Sequence, residues 1–201
     1  MGNAQQVRPD KDFVQIVILG ANDSGKSALV ERFATTHFSG NTTSTIGLEF
    51  CVEEVFGARV RIWDTGGDRR YFSIITSYFN CANAIMLVFD LAADDGFDRC
   101  KCYWAQMKPF LRGRDVPKIL IGTKMDLLPP LEIANLTNLP SDITDLALEY
   151  LPKRAEGVNT FTDKEGFRFV EVSSKTGENV LLAFETLIMP LITDNQPQTS
   201  S

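Results

Sequence analysis

Residues 13–27, FVQIVILGANDSGKS, constrain the fold more than any other stretch of the chain. FVQIVIL is a continuous apolar run rich in β-branched residues, the pattern of a buried strand, and it ends at Gly20. A glycine-bearing turn follows, and KSALVERFA (26–34) then carries its apolar residues at helical spacing. A strand that runs through such a turn straight into a helix opens a βαβ unit, and the rhythm recurs downstream. AIMLVFDLA (84–92) and VPKILIGT (116–123) read as strands separated by a helix over 97–111, and FRFVEVS (167–173) precedes the helical pattern GENVLLAFETLIMPLI (177–192). Uninterrupted apolar strands of this kind are covered on both faces in a parallel sheet. Between 47 and 65, GLEFCVEEVF and ARVRIWDT flank Gly57 and read as a hairpin with Leu48, Phe50 and Val52 on one buried face. The expectation is an α/β fold with a mostly parallel sheet of about six strands and helices on both faces.

With 201 residues, 44% of them hydrophobic, the chain supports one sizeable core, which we assign to residues 12–192 between a flexible N-terminus (1–11) and a polar C-terminal tail (193–201). One segment breaks the compact rhythm. Residues 127–166 lie between two strands, and SDITDLALEYLPKR (141–154), capped by Ser141 or Asp142, reads as the crossover helix, with the remainder as an insertion. Twenty basic against 26 acidic residues give a net charge of -6 without any Lys/Arg run, which argues against a nucleic-acid partner. The longest apolar runs are strand-sized, short of the ~20 residues of a spanning helix. No secretory signal opens the chain, so a cytoplasmic protein is expected. Gly2 is followed by Gln6 where the myristoylation pattern wants Ser or Thr. The four cysteines (51, 81, 100 and 102) lack CxxC spacing and read as reduced thiols, and His37, the single histidine, rules out a multi-histidine metal site.

GANDSGKS (20–27) fits GxxxxGK[ST] and sits between strand and helix, as the P-loop NTPase fold requires. In such a loop Asn22, Asp23, Ser24, Gly25 and the helix start through Ala28 present backbone N–H groups that wrap phosphates. Lys26 reaches the β and γ phosphates and Ser27 ligates Mg²⁺. Downstream, WDTGG (63–67) follows an apolar strand, which sets Asp64 to hold Mg²⁺ through water and Gly67 to offer an N–H to the γ phosphate. Alone, DTGG is a common turn; its place after the cradle gives it meaning.

TKMD (123–126) closes a buried strand. A carboxylate there accepts from both N1–H and the exocyclic amine of guanine, while adenine offers no such donors, so Asp126 selects guanine. Lys124 lays its aliphatic stem along the base plane, with its ammonium toward the cradle or the ribose. In SSK (173–175), Ser173 braces Asp126, the backbone of Ser174 faces the guanine oxygen, and Lys175 completes the group.

With cradle, STIG (44–47), WDTGG, TKMD and SSK in this order, residues 12–192 resemble a small GTPase of the Ras superfamily, and TIGLEF followed by RIWDT is Rab-like. The resemblance implies that Phe38 stacks on the guanine edge and that Thr45 closes on Mg²⁺ and the γ phosphate. It also implies GTP or GDP as ligand, and an effector, an exchange factor and a GTPase-activating protein as partners at loops 38–47 and 66–78. Aromatic residues Tyr71, Phe72, Tyr78 and Phe79 suit such a surface, although packing on the sheet is an equal reading for Phe79. Thr123 stands where most members carry asparagine, as it does in Rho-type proteins, and the insertion has a Rho-like location. Asn22 and Asp23 replace cradle glycines. No cysteine follows Cys102, so the usual prenyl attachment is not expected.

Asp68 occupies the position where the family carries a glutamine that orients the attacking water. Aspartate is one methylene shorter, donates no N–H and brings negative charge toward an anionic phosphate, so slow or impaired hydrolysis is expected. In a second reading Asp68 turns to solvent beside Arg69 and Arg70; in a third, one of those arginines supplies positive charge in cis. At the level of function a regulatory switch, a hydrolysis-deficient guanine-nucleotide scaffold and a P-loop nucleotide kinase stand side by side. The last has no visible lid segment to support it.

Overall fold

The computed structural model describes residues 13–40, 44–128 and 156–193. Six strands form one sheet: β1 (Val14–Leu19), β2 (Leu48–Val55), β3 (Ala58–Thr65), β4 (Ala84–Asp90), β5 (Lys118–Thr123) and β6 (Arg168–Glu171), in the order β2-β3-β1-β4-β5-β6. Only the β2–β3 pair is antiparallel; β1 pairs in parallel with β3 and β4, and β5 with β4 and β6. The helices are α1 (Lys26–Thr35), α2 (Phe72–Phe79), α3 (Gly96–Met107), α4 (residues 156–165) and α5 (Val180–Thr193). This is the mostly parallel α/β sheet the sequence predicts.

Alternation along the central strands divides the core in two. Ile16, Ile18, Met86, Val88, Ile119 and Ile121 face a layer built by Leu29 and Val30 of α1 and by Val180, Phe184, Leu187 and Ile188 of α5. Val17, Leu19, Ile85, Leu87, Phe89 and Leu120 face Ile75 and Phe79 of α2, Tyr103, Trp104 and Met107 of α3, and Val158 of α4. Both faces being covered explains why β1, β4 and β5 read as unbroken apolar runs. It also brings the carboxyl ends of β1, β3, β4 and β5 to one edge, where loops collect in such sheets.

Two expectations need correction. In the hairpin, Leu48 packs on the core, but Phe50 is 59% and Val52 40% exposed. β2 is an edge strand, so alternation reveals a two-faced strand without saying that a helix covers either face. Phe50 instead lies over its cross-strand partner Trp63, ring centroids 5.0 Å apart, and Trp63 lies 4.2 Å from Tyr78. The second concerns the crossover to β6. The helix expected at 141–154 lies outside the described residues, whereas 156–165, read as insertion, is helical. Val158 is buried, Phe161 packs on the same layer, and Glu165 accepts from Trp104 Nε1 (2.8 Å) and Lys108 Nζ (2.8 Å), which ties α4 to the end of α3.

The cysteines are reduced, with Cys81 and Cys100 buried and Cys102 exposed on the side of α3 opposite Cys100. Phe79 is fully buried, so the sheet-packing reading holds for it. No helix among the described residues is long and apolar enough to cross a membrane.

Candidate functional site

A cavity of about 580 Å³ opens at the carboxyl edge of the sheet. Its walls hold Asn22, Asp23, Gly25, Lys26, Ser27, Ala28, Phe38, Thr45, Gly67, Thr123, Lys124, Asp126, Ser174 and Lys175, residues scattered through the sequence and joined only by the fold. Four further candidates lie off this wall. Ser24 is buried beneath the cradle, Asp64 sits behind Thr45, Ser173 stands behind Asp126, and Asp68 is outside.

The cradle end begins where β1 reaches Gly20. α1 starts after Gly25, a left-handed residue (φ 85°) whose position offers no side-chain cap. The first N–H groups of the helix therefore have no side-chain acceptor, and Gly25, Lys26, Ser27 and Ala28 border the cavity, the arrangement that binds anions. Lys26 is 5% exposed, and its ammonium donates to Ala21 O at 2.8 Å. Burial pushes its pKa down to about 8, against the opposing pull of Asp64 and Asp23, while Arg99 adds to the lowering. Gly67 approaches the same loop so closely that a Cβ on it would lie 2.2 Å from Asn22 N. Only glycine fits there.

Ser27, Thr45 and Asp64 meet beside Lys26. Ser27 Oγ lies 2.6 Å from Thr45 Oγ1, and Thr45 Oγ1 donates to Asp64 Oδ2 at 3.4 Å. Burial raises the Asp64 pKa above the usual carboxylate range, opposed by hydrogen bonds from Ser27 and Thr45 and by the Lys26 charge. Asp64 Oδ1 is buried with no partner among the described residues. A carboxylate oxygen left unsatisfied and a lysine driven toward neutrality are costly neighbours on their own. A divalent cation beside Asp64 and an anion beside Lys26 would satisfy both, so the residues fit Mg²⁺ and a phosphate chain. Among the described residues no group of three or more His, Cys, Asp or Glu converges, which leaves this hydroxyl and carboxylate set, suited to a hard cation shared with phosphates.

At the other end Asp126 is held by Ser173, whose Oγ donates to Asp126 Oδ1 at 2.6 Å, and Lys175 Nζ lies 3.9 Å from Asp126 Oδ2. Ser174 Oγ is buried without a partner among the described residues. Thr123 does not present its hydroxyl to a ligand. Its Oγ1 donates to Ser24 O (2.7 Å) and Phe89 O (3.1 Å), bracing the cradle against β4. Lys124 Nζ donates to Asp23 O (2.9 Å) and pairs with Asp90 (2.7 Å), so its stem spans from the base end to the cradle. Both Asp23 (φ 63°) and Lys124 (φ 61°) are left-handed, conformations that non-glycine residues hold only where surrounding contacts fix them.

Asp68 turns away from the cavity. Its carboxylate caps the short turn Arg69–Tyr71 by accepting from Arg70 N (2.9 Å) and takes a second bond from Arg70 Nε (2.9 Å), which holds its pKa below the usual carboxylate range. Arg70 is thereby committed to Asp68. Two residues no motif indicates also belong to the site. Asp90 anchors Lys124, and Arg99 on α3 donates to Asn22 O at 2.9 Å. Neither stands within a phosphate or base motif; only the packing of β4 and α3 beside the cradle reveals them.

The Ras family profile matches residues 15–193. The chain is 31% identical to Ras-related protein Rab-30 of Homo sapiens over 195 residues, 94% of this chain and 86% of that protein. It is 30% identical to Ras-related protein Rab-18 of Lymnaea stagnalis (89% of this chain, 80% of that protein) and 29% identical to GTP-binding protein YPT53 of Saccharomyces cerevisiae (87% and 74%).

Proposed function

The chain belongs to the Ras family as a Rab-like small GTPase, and from that premise we propose that it binds GTP and GDP with Mg²⁺, hydrolyses GTP slowly, and switches a partner protein by doing so. The observation that carries the reading is the pairing within one cavity of a braced carboxylate, Asp126 on Ser173, with the Lys26, Ser27, Thr45 and Asp64 group. Asp126 takes the two guanine donors, Phe38 and the Lys124 stem flank the base, Ser174 and Lys175 close its far side, and the cradle from Asn22 to Ala28 takes the phosphates. Mg²⁺, when bound, neutralises phosphate charge. Ser27, Thr45 and Asp64 would hold it, the last through water.

Gly67 brings its N–H against the cradle and Lys26 supplies positive charge where it develops during transfer. Among the described residues, the position that would orient water is held by Asp68, which does not border the cavity. Asp68 is turned to Arg70, and even if released it could accept a proton but donate none. The same observation supports a second reading, a guanine-nucleotide scaffold that stays loaded and signals through its partner.

The partner surface we assign to the apolar residues left open beside the cavity loops, Ile46 and Phe50 with Val52 and Ile74, rather than to Phe79. Exchange factor and GTPase-activating protein would use the same loops. The place of work we assign to the cytoplasm, at the periphery of a membrane. A titration with fluorescent GDP, GTP and ATP in Mg²⁺ tests the ligand: guanine nucleotides at least 100-fold tighter than ATP are expected, about 3 kcal/mol of discrimination from the Asp126 contacts. Equal affinity for ATP would overturn it.

A further inference from the structure

Arg32, in the last turn of α1, donates with both ends of its guanidinium to two backbone carbonyls far apart in sequence. Nη1 reaches Thr36 O at 2.7 Å and Nη2 reaches Thr176 O at 2.9 Å. Thr36 is the left-handed cap of α1 (φ 57°), the residue at which the chain leaves the helix for the loop that carries Phe38 and Thr45. Thr176 belongs to the turn behind the base end of the cavity. Its N–H donates to Ser173 Oγ (3.1 Å), the same hydroxyl that braces Asp126.

The turn is shaped around this side chain. Gly177 sits at φ 87° and donates to Ser173 O (2.8 Å), and a Cβ on it would stand 2.7 Å from Arg32 Nη2. A left-handed glycine here gives the guanidinium its access to the Thr176 carbonyl. A planar fork with fixed donor directions spans two carbonyls; a lysine ammonium on a flexible stem is a poor substitute.

We propose that Arg32 is a positioning residue for nucleotide retention: it clasps the base turn 173–177 to residues 36–40, where the chain leaves α1, so that loosening of either end frees the other. It acts on the base through Thr176, Ser173 and Asp126, without touching a ligand. This rests on the guanine-nucleotide reading above.

The test is release of fluorescent GDP and IDP from the full chain and from Arg32→Met, Arg32→Lys, Ser173→Ala and the Arg32→Met/Ser173→Ala double variant, with amide hydrogen exchange on the nucleotide-free native and Arg32→Met proteins. Arg32→Met should speed GDP release about tenfold, the scale of one net hydrogen bond at an exposed position. IDP, which lacks the exocyclic amine that Asp126 accepts, should be accelerated less. Arg32→Lys should recover only part of the loss, and the double variant should be no faster than the faster single one, because both act through one hydroxyl. In the free protein, amides of 173–177 and 36–40 should lose protection together. Unchanged release, additive effects, or exchange that rises at one end alone would overturn the clasp. Failure of the native chain to bind any guanine nucleotide would overturn instead the ligand reading, and hydrogen exchange would still decide whether the two segments are joined.

Discussion

At the scale of single residues the site is organised by groups that serve other groups. Ser173 spends its hydroxyl on Asp126, Thr123 spends its own on Ser24 and Phe89, and Asp90 holds Lys124. Asp126 and Lys26, both on the cavity wall, were singled out in the sequence because a guanine edge and a phosphate would demand those residue types at those spacings. Asp90, Arg99 and Arg32 were not, since a brace is defined by what lies across the fold from it. Replacing Ser173 by alanine leaves Asp126 without its 2.6 Å donor. We expect GDP affinity to fall about tenfold, on the order of 1–2 kcal/mol, by fluorescence titration, with the melting temperature shifted by no more than a few degrees. Gly67→Ala places a methyl against Asn22 N. The second loop then cannot close on the cradle, and we expect at least a fivefold loss of GTP affinity with GDP affinity retained. Equal losses for both nucleotides would show that Gly67 supports the cradle itself and not closure.

At the scale of elements, the strands were legible where both faces are buried and ambiguous where one is not. β1, β4 and β5 announced themselves as apolar runs. In β2, alternation is real, but only Leu48 of the expected face reaches the core, because cover on an edge strand depends on helices elsewhere in the chain. α4 was missed for a related reason. Its anchors, Val158, Phe161 and Glu165, are sparse in a polar stretch and acquire meaning only against Trp104 and Lys108 of the preceding helix and turn. Glu165 tests that docking. Burial tends to raise its pKa, but bonds from Lys108 and Trp104 outweigh this and leave it lowered in the fold. A lowered folded pKa contributes stability above the unfolded value of ~4.3, lost as pH falls through the folded pKa. Glu165→Gln should therefore cost about 1–2 kcal/mol at neutral pH by denaturant unfolding, and the gap to the native chain should narrow as the solution is acidified through that range. A gap independent of pH would mean that packing, not charge, docks α4.

At the scale of the molecule, two helical layers fix the parallel strands so that their carboxyl ends bring the cradle, the Ser27, Thr45 and Asp64 group and Asp126 around one cavity. This arrangement places Phe38, Thr45 and Gly67 on the cavity wall and leaves Ile46, Phe50 and Ile74 exposed, and we propose that a change at a phosphate there becomes a change at a partner surface. Within that frame Asp68 is bonded to Arg70 and does not border the cavity. We propose that this chain holds GTP with little power to break it. Single-turnover hydrolysis of bound GTP in Mg²⁺, comparing the native chain with Asp68→Gln, tests it most directly. We expect the variant to turn over on the order of 10⁻⁴ per second, the intrinsic scale of Ras, and the native chain at least several-fold more slowly. A native rate equal to or above that of the variant would contradict it and show that another group orients the water.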